Sequence, residues 1–93
     1  MRTRRFRIDG RKILSVNDFY REIGRAVNGR GGYFGENLDA LADCLRGGFG
    51  TPEDRPFAFD WDHSAASCAH LDATFVAAVH EVFDDVGVVL RLR

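Results

Sequence analysis

Two cysteines, two prolines and no long apolar run are the scarcities of this 93-residue sequence, and each excludes a class of protein. Cys44 and Cys68 are too few for a disulfide framework, and a domain with 45% apolar residues needs no staple, so both are expected to be free thiols in a reducing compartment. Among the longest stretches without a charged side chain is Ser64 to Leu71, far too short to cross a bilayer, so no membrane association is expected. The basic start, Met1 to Ile8, leads into no apolar segment of signal-peptide length, which predicts a cytoplasmic location. His63, His70 and His80 do not fall at metal-ligand spacing with the cysteines, so no metal site and no cofactor is expected. No internal repeat, linker or low-complexity tract interrupts the chain.

What is present describes an ordinary folded domain. A charged fraction of 29% beside the apolar 45% rules out compositional disorder, and 93 residues have room for one modest core, predicting a single domain over residues 1–93. The net charge of -1 hides an asymmetry. Residues 1–12 carry Arg2, Arg4, Arg5, Arg7, Arg11 and Lys12 against Asp9 alone, a charge of +5, so the remaining 81 residues sum to -6. The surface built by the later segments therefore presents a negative field suited to a basic partner.

Arg5-Phe6-Arg7-Ile8 alternates polar with apolar before the turn dipeptide Asp9-Gly10, which predicts a strand with its arginines facing water. Ser15 followed by Asp18 resembles a capping box, and Val16, Phe19, Tyr20, Ile23 and Val27 follow at helical spacing until the glycine-rich run Asn28 to Gly32. A second helix is predicted from the cap Asn37, with Leu38, Leu41, Cys44 and Leu45 on one stripe, ending before Gly47-Gly48. Pro56 to Trp61 is an aromatic, largely buried strand in prospect, with Trp61 in the core; a helical turn follows over Ser64 to Ala69. Asp72 caps a last helix striped by Phe75, Val76, Val79, Val82, Phe83 and Val86; Gly87 stops it, and Val88 to Leu92 forms the final strand. This order requires crossover connections, hence an α/β fold with a small parallel sheet and helices packed against it.

Function is concentrated around the second helix. Residues four apart on a helix lie about 40° apart around its axis, so Asp39 and Asp43 share a face, and it is not the face of Leu38, Leu41 and Leu45. Like charges so placed cost a helix about a few tenths of a kcal/mol, and only Arg46 is near enough to relieve them. The helix dipole favours Asp39 but not Asp43, which lies too far along. Such a local conflict often marks a functional site, although most exposed acid pairs are simply solvated. Beside Glu36 and these acids, Gly31-Gly32-Tyr33-Phe34-Gly35 sets two adjacent aromatics in a glycine-flanked loop, a combination typical of interfaces. A phosphate-binding loop is excluded, because acids dominate the place where a lysine or a free helix N-terminus would be needed.

The run Tyr33-Phe34-Gly35-Glu36-Asn37-Leu38-Asp39-Ala40-Leu41-Ala42-Asp43-Cys44-Leu45, followed by Gly47, closely resembles the signature of the barstar family, intracellular inhibitors of the ribonuclease barnase. The order of elements is similar over nearly the whole chain. The resemblance implies a three-stranded parallel sheet with about three main helices and a short one, and no catalytic activity. It further implies that Asp43 enters the active site of a small secreted microbial ribonuclease in a 1:1 complex, where an RNA phosphate would sit, with Asp39 in support. Tyr33 would pack on a catalytic histidine of the enzyme or on nearby surface, with its neighbours Phe34 and Gly35 in the contact; Asn37 and the Gly47 backbone would hydrogen-bond to the enzyme, and Ala42, Arg46 and Glu81 would lie in the contact surface. Ala42 and Gly48 stand where the family carries tryptophans, and Arg46 where it carries a small polar residue, which points to a guanyl-specific ribonuclease other than barnase itself. A carboxylate among desolvated guanidinium groups forms charge-assisted, often bidentate hydrogen bonds and imitates the anion those groups hold. Barnase with barstar is itself the usual illustration of electrostatically steered association, so that expectation is taken over from the family.

Two rivals are weaker. Paired acids could act as general acid and base, but that needs a cleft and environments that separate their pKa values, and neither is legible; Cys44 lies on the apolar stripe, as a structural thiol does. The arginine-rich first strand suggests a nucleic-acid-binding module, for which a solvated strand face is the simpler explanation. The inhibitor reading therefore expects no nucleic-acid partner and a free protein that is monomeric.

Overall fold

Strand β1 (Arg4–Asp9) buries Phe6 and Ile8 and turns Arg5 and Arg7 away from them, as the alternation requires. The computed structural model describes residues 2–93. After a 3-10 turn at Gly10–Lys12 come α1 (Val16–Asn28), α2 (Leu38–Arg46), β2 (Phe57–Asp62), α3 (Ser64–Cys68), α4 (Ala73–Val86) and β3 (Val89–Leu92). The sheet has the order β1-β2-β3 and both ladders are parallel, so the chain crosses over twice and the aromatic strand β2 is central. Every expected element is present, with boundaries shifted by a residue or two.

Register decides which side chains meet. Phe6 lies opposite Phe59 and Ile8 opposite Trp61, and on the other flank Leu90 and Leu92 align with the same two aromatics. The inner face of the sheet is thus largely aromatic, with Phe6 and Phe59 stacked at 5.1 Å between centroids, and the helices cover it with Phe19, Ile23, Leu41, Val79 and Phe83. Burying each such side chain contributes about 1.5–3 kcal/mol. The indole N–H of Trp61 donates to Ser67 Oγ at 2.9 Å, and that hydroxyl donates to the Gly10 carbonyl at 2.7 Å, fastening α3 and the 3-10 turn to β2.

The outer face is where the strand arginines differ from the solvated row the sequence suggests. The Arg5 guanidinium donates to both carboxylate oxygens of Asp60, at 2.9 and 2.7 Å, and Asp60 is only 1% exposed. This hydrogen-bonded pairing holds the Asp60 carboxyl below the usual carboxylate range, with Arg93 and Arg91 adding to the effect. Arg7 stands 3.7 Å from Asp62, and Arg4 lies over the Phe6 ring. Alternation alone could not reveal this, because the acids that hold the arginines lie more than fifty residues later.

Two polar devices fix α1. Ser15 Oγ accepts from the Asp18 N–H at 3.1 Å, and the Asp18 carboxylate accepts from the Leu14 N–H rather than from the cap residue itself. Buried Glu22 accepts from the Asp9 N–H at the end of β1 and from Arg25 at 2.7 Å, joining strand to helix.

Candidate functional site

The acidic face is built from the N-terminus of α2 upward. Asn37 caps the helix, its side-chain oxygen accepting from the Ala40 N–H at 2.8 Å, while Leu41, Cys44 and Leu45 turn into the core. Because that stripe is fully buried, the opposite positions must face solvent, and Asp39 and Asp43 are both exposed. Asp43 is bridged to Arg46 at 3.0 Å, but the two side chains are 71% and 62% exposed. An ion pair so open to water contributes about 0–1 kcal/mol, so a partner can displace it. Gly47 ends the helix with φ 127°, its N–H donating to the Cys44 carbonyl at 3.2 Å, and Ala42 is half-buried.

The preceding loop is held close to α1. A methyl group at Gly24 would overlap the Gly32 carbonyl, so only glycine in α1 lets the loop backbone pass there. Gly35, at φ 98°, packs so tightly on α2 that an added Cβ would lie 2.8 Å from the Leu41 nitrogen. Between these anchors the two adjacent aromatics part company. Tyr33 is 49% exposed, whereas Phe34 is fully buried with its ring 6.0 Å from that of Phe59. Phe34 is therefore a core residue and Gly35 is buried against α2, so neither offers a surface to a partner, which corrects the inclusion of both among the contact residues. The cause is direction: with Gly35 packed on Leu41 of α2, the Phe34 ring meets Phe59 while Tyr33 faces water.

Tyr33 lies in the field of the acids. Partial desolvation first, then the neighbouring Cys44, Glu36 and Asp43, raise its phenol above the usual range. Burial and the neighbouring Asp43 push the Cys44 thiol up, which fits a structural cysteine and not a nucleophile. Cys68 is exposed. Glu36 and Asp39 also rim an open groove of about 490 Å³ whose apolar wall includes Val16, Tyr20, Leu38 and Phe75.

The site thus gathers Tyr33, Asn37, Asp39, Ala42, Asp43, Arg46 and Gly47 on α2 and its two flanking loops. Glu81 is exposed on α4, the helix that packs on α2, and among the described residues no hydrogen bond or ion pair joins it to the acids. The sequence reading missed Phe49, which is 45% exposed and lies 6.5 Å from Tyr33 between ring centroids. The signal that could have found it is the run Gly47-Gly48-Phe49-Gly50, glycine-flanked in the same manner as Tyr33. Among the described residues no group of three or more His, Cys, Asp or Glu side chains could hold a metal ion, and no helix is long and apolar enough to cross a membrane.

Residues 3–91, nearly the whole chain, match the family model described as Barstar (barnase inhibitor). No curated protein matches the sequence.

Proposed function

We propose that this chain, which belongs to the barstar family, inhibits a small secreted guanyl-specific ribonuclease by seating the acidic face of α2 in the enzyme's active site. The observation that carries the proposal is the exposure of Asp39 and Asp43 on one side of a helix whose other side is anchored in the core. A ribonuclease must hold its substrate's phosphate with cationic groups in a pocket of low water content. A carboxylate delivered there on a rigid helix forms charge-assisted hydrogen bonds with those groups and needs little reorganisation to do so. Asp43 enters deepest, and Asp39 supports it one turn earlier. Asn37 has its side-chain oxygen engaged in the helix cap, so its amide nitrogen is the end that meets the enzyme.

Inhibition is then stoichiometric and competitive with RNA, and the chain itself performs no bond-making step. The test is RNA cleavage by barnase and a panel of small guanyl-specific microbial ribonucleases, titrated with the protein. A sharp one-to-one endpoint for at least one enzyme, lost in Asp43→Ala, is the expected outcome. RNA binding with a steep salt slope, and no inhibition of any enzyme, would sink the proposal.

A further inference from the structure

The outer face of the sheet carries no helix among the described residues. Crossover connections put helices on the faces of a parallel sheet, and such sheets are as a rule covered on both sides. Here α1 and α4 lie on the inner face, where Phe19 meets Trp61 at 5.1 Å between ring centroids and Phe83 meets Phe59 at 5.3 Å. The register makes Arg5, Ala58 and Val89 one row of the outer face, and Arg7, Asp60 and Arg91 the next. Ala58 and Asp60 are buried in the central strand, with the Arg5 guanidinium bound across Asp60. Their neighbours Arg7, Val89 and Arg91 are open to water.

The chemistry of this face selects what can cover it. Arg5 and Arg7 on one side and Arg91 and Arg93 on the other border Asp60 and Asp62, so four cations stand against two acids and the face carries +2. Asp9, on the same side of β1, is bridged to Arg11 at 3.1 Å. Arg7 has only the open pairing with Asp62 at 3.7 Å, and neither Arg91 nor Arg93 has an ion-pair partner among the described residues. Both act on the Asp60 carboxyl, which agrees with their place on this face. The rows contain no aromatic ring on which bases could stack, and their middle acids would face the phosphates of an RNA strand. Arginine without lysine, beside an exposed valine, is instead the composition of a protein contact. Ala58 and Val89 add only a little aliphatic surface, which the arginine stems extend.

We infer that the outer sheet face is a docking surface for an acidic amphipathic helix of another protein, which supplies the second helical layer that this parallel sheet lacks. The apolar stripe of that helix covers Val89, Ala58 and the arginine stems, and its carboxylates pair with Arg7, Arg91 and Arg93. Guanidinium groups suit the task because they are more weakly hydrated than ammonium groups. A contact so small and polar is transient. Since α2 packs on α4, on the other side of the sheet, a helix docked here leaves Asp39 and Asp43 open. The chain can then hold two partners at once.

The probe is a fluorescein-labelled peptide of about 18 residues with leucines at i, i+3, i+4 and i+7 spacing and glutamates flanking them, titrated with the chain and followed by anisotropy. A peptide with lysine for glutamate and an oligouridine RNA are run beside it. The glutamate peptide should bind with a dissociation constant on the order of 10–100 µM at low salt and weaken as salt rises. Arg7→Glu and Arg91→Glu together should cost about tenfold or more in affinity, whereas Asp43→Ala binds the peptide as tightly as the wild type. Each variant is first checked for an unchanged thermal melt, and the two single reversals replace the double one should it fail to fold. A glutamate peptide that does not bind, or binds with no regard to the reversals, overturns the inference. Tighter binding of the RNA or of the lysine peptide overturns it as well, by showing a phosphate track or an unselective surface.

Discussion

The outer face of the sheet and the outer face of α2 carry charge in opposite ways. On the sheet, Arg5 is bound through two hydrogen bonds to Asp60, a carboxylate 1% exposed, and Arg7 faces Asp62. On α2, Asp39 has no ion-pair partner among the described residues, and Asp43 has one only in the open bridge to Arg46. At Arg5 and Asp60 the sheet neutralises a charge within the fold, so removing either partner harms the fold. The helix keeps its acids at the surface, where they contribute little to folding and remain available to a partner. Charge density in the sequence therefore does not say which charge is spent inside the fold: in the arginine-rich segment Arg5 is bound to buried Asp60, while Arg4 and Arg7 stay exposed.

Four substitutions would break or sharpen this contrast. The largest effect belongs to Asp43→Ala, expected to weaken inhibition by more than about a hundredfold because the enzyme's cations are left buried without a partner. Its thermal stability should change by less than about 0.5 kcal/mol, since the side chain is 71% exposed. Inhibition kinetics and a denaturant melt on the same preparation would separate the two quantities.

Asp60→Asn should do the reverse. The lost charge-assisted pair is expected to cost about 1–3 kcal/mol, a range reduced because Arg5 keeps contact with water, while inhibition is untouched at temperatures where the variant is folded. The pH dependence follows from the direction of the shift. The Asp60 carboxyl is held below its ordinary value of 3.8, so its stabilisation is fully present above that pH and is lost as the pH falls through the lower folded value. Melts of wild type and Asp60→Asn should thus begin to converge only below about pH 4 and meet once the pH is below the lower folded value. Curves that stay parallel down to the acid limit would show that the pair adds nothing.

Gly24→Ala tests the scaffold under the site. The added methyl meets the Gly32 carbonyl, and the resulting shift should cost about 1–3 kcal/mol in a denaturant melt, with a smaller loss of inhibition as Tyr33 moves. The smallest effect is expected for Arg46→Ala. Stability should change by less than about 0.5 kcal/mol, and association at low salt should quicken, since a positive charge beside Asp43 disappears. Slower association would mean that Arg46 itself contacts the enzyme.

Much of this was legible beforehand. The stripe Leu41, Cys44, Leu45 is periodic at helical spacing, so the sequence alone placed Asp39 and Asp43 on the other face, and both are exposed. The alternation in β1 and the aromatic run of β2 likewise predicted strands, and the need for crossovers predicted a parallel sheet. Loops carry no such period. Tyr33 and Phe34 are neighbours of similar size, and nothing local says that one ring faces water and the other meets Phe59. Phe49 escaped notice because its significance lies in Tyr33, 16 residues away.

The division between the two kinds of information has a physical basis. Periodicity, caps and glycines act over four or five residues, so the sequence by itself determined the elements, their inward faces and the acidic surface of α2. Which arginine is neutralised, which of two adjacent aromatics is buried, and which loops meet depend on contacts between segments distant along the chain. Those contacts exist only once the sheet register and the crossing of α1 by the glycine-rich loop are set, and so only the tertiary structure decided them.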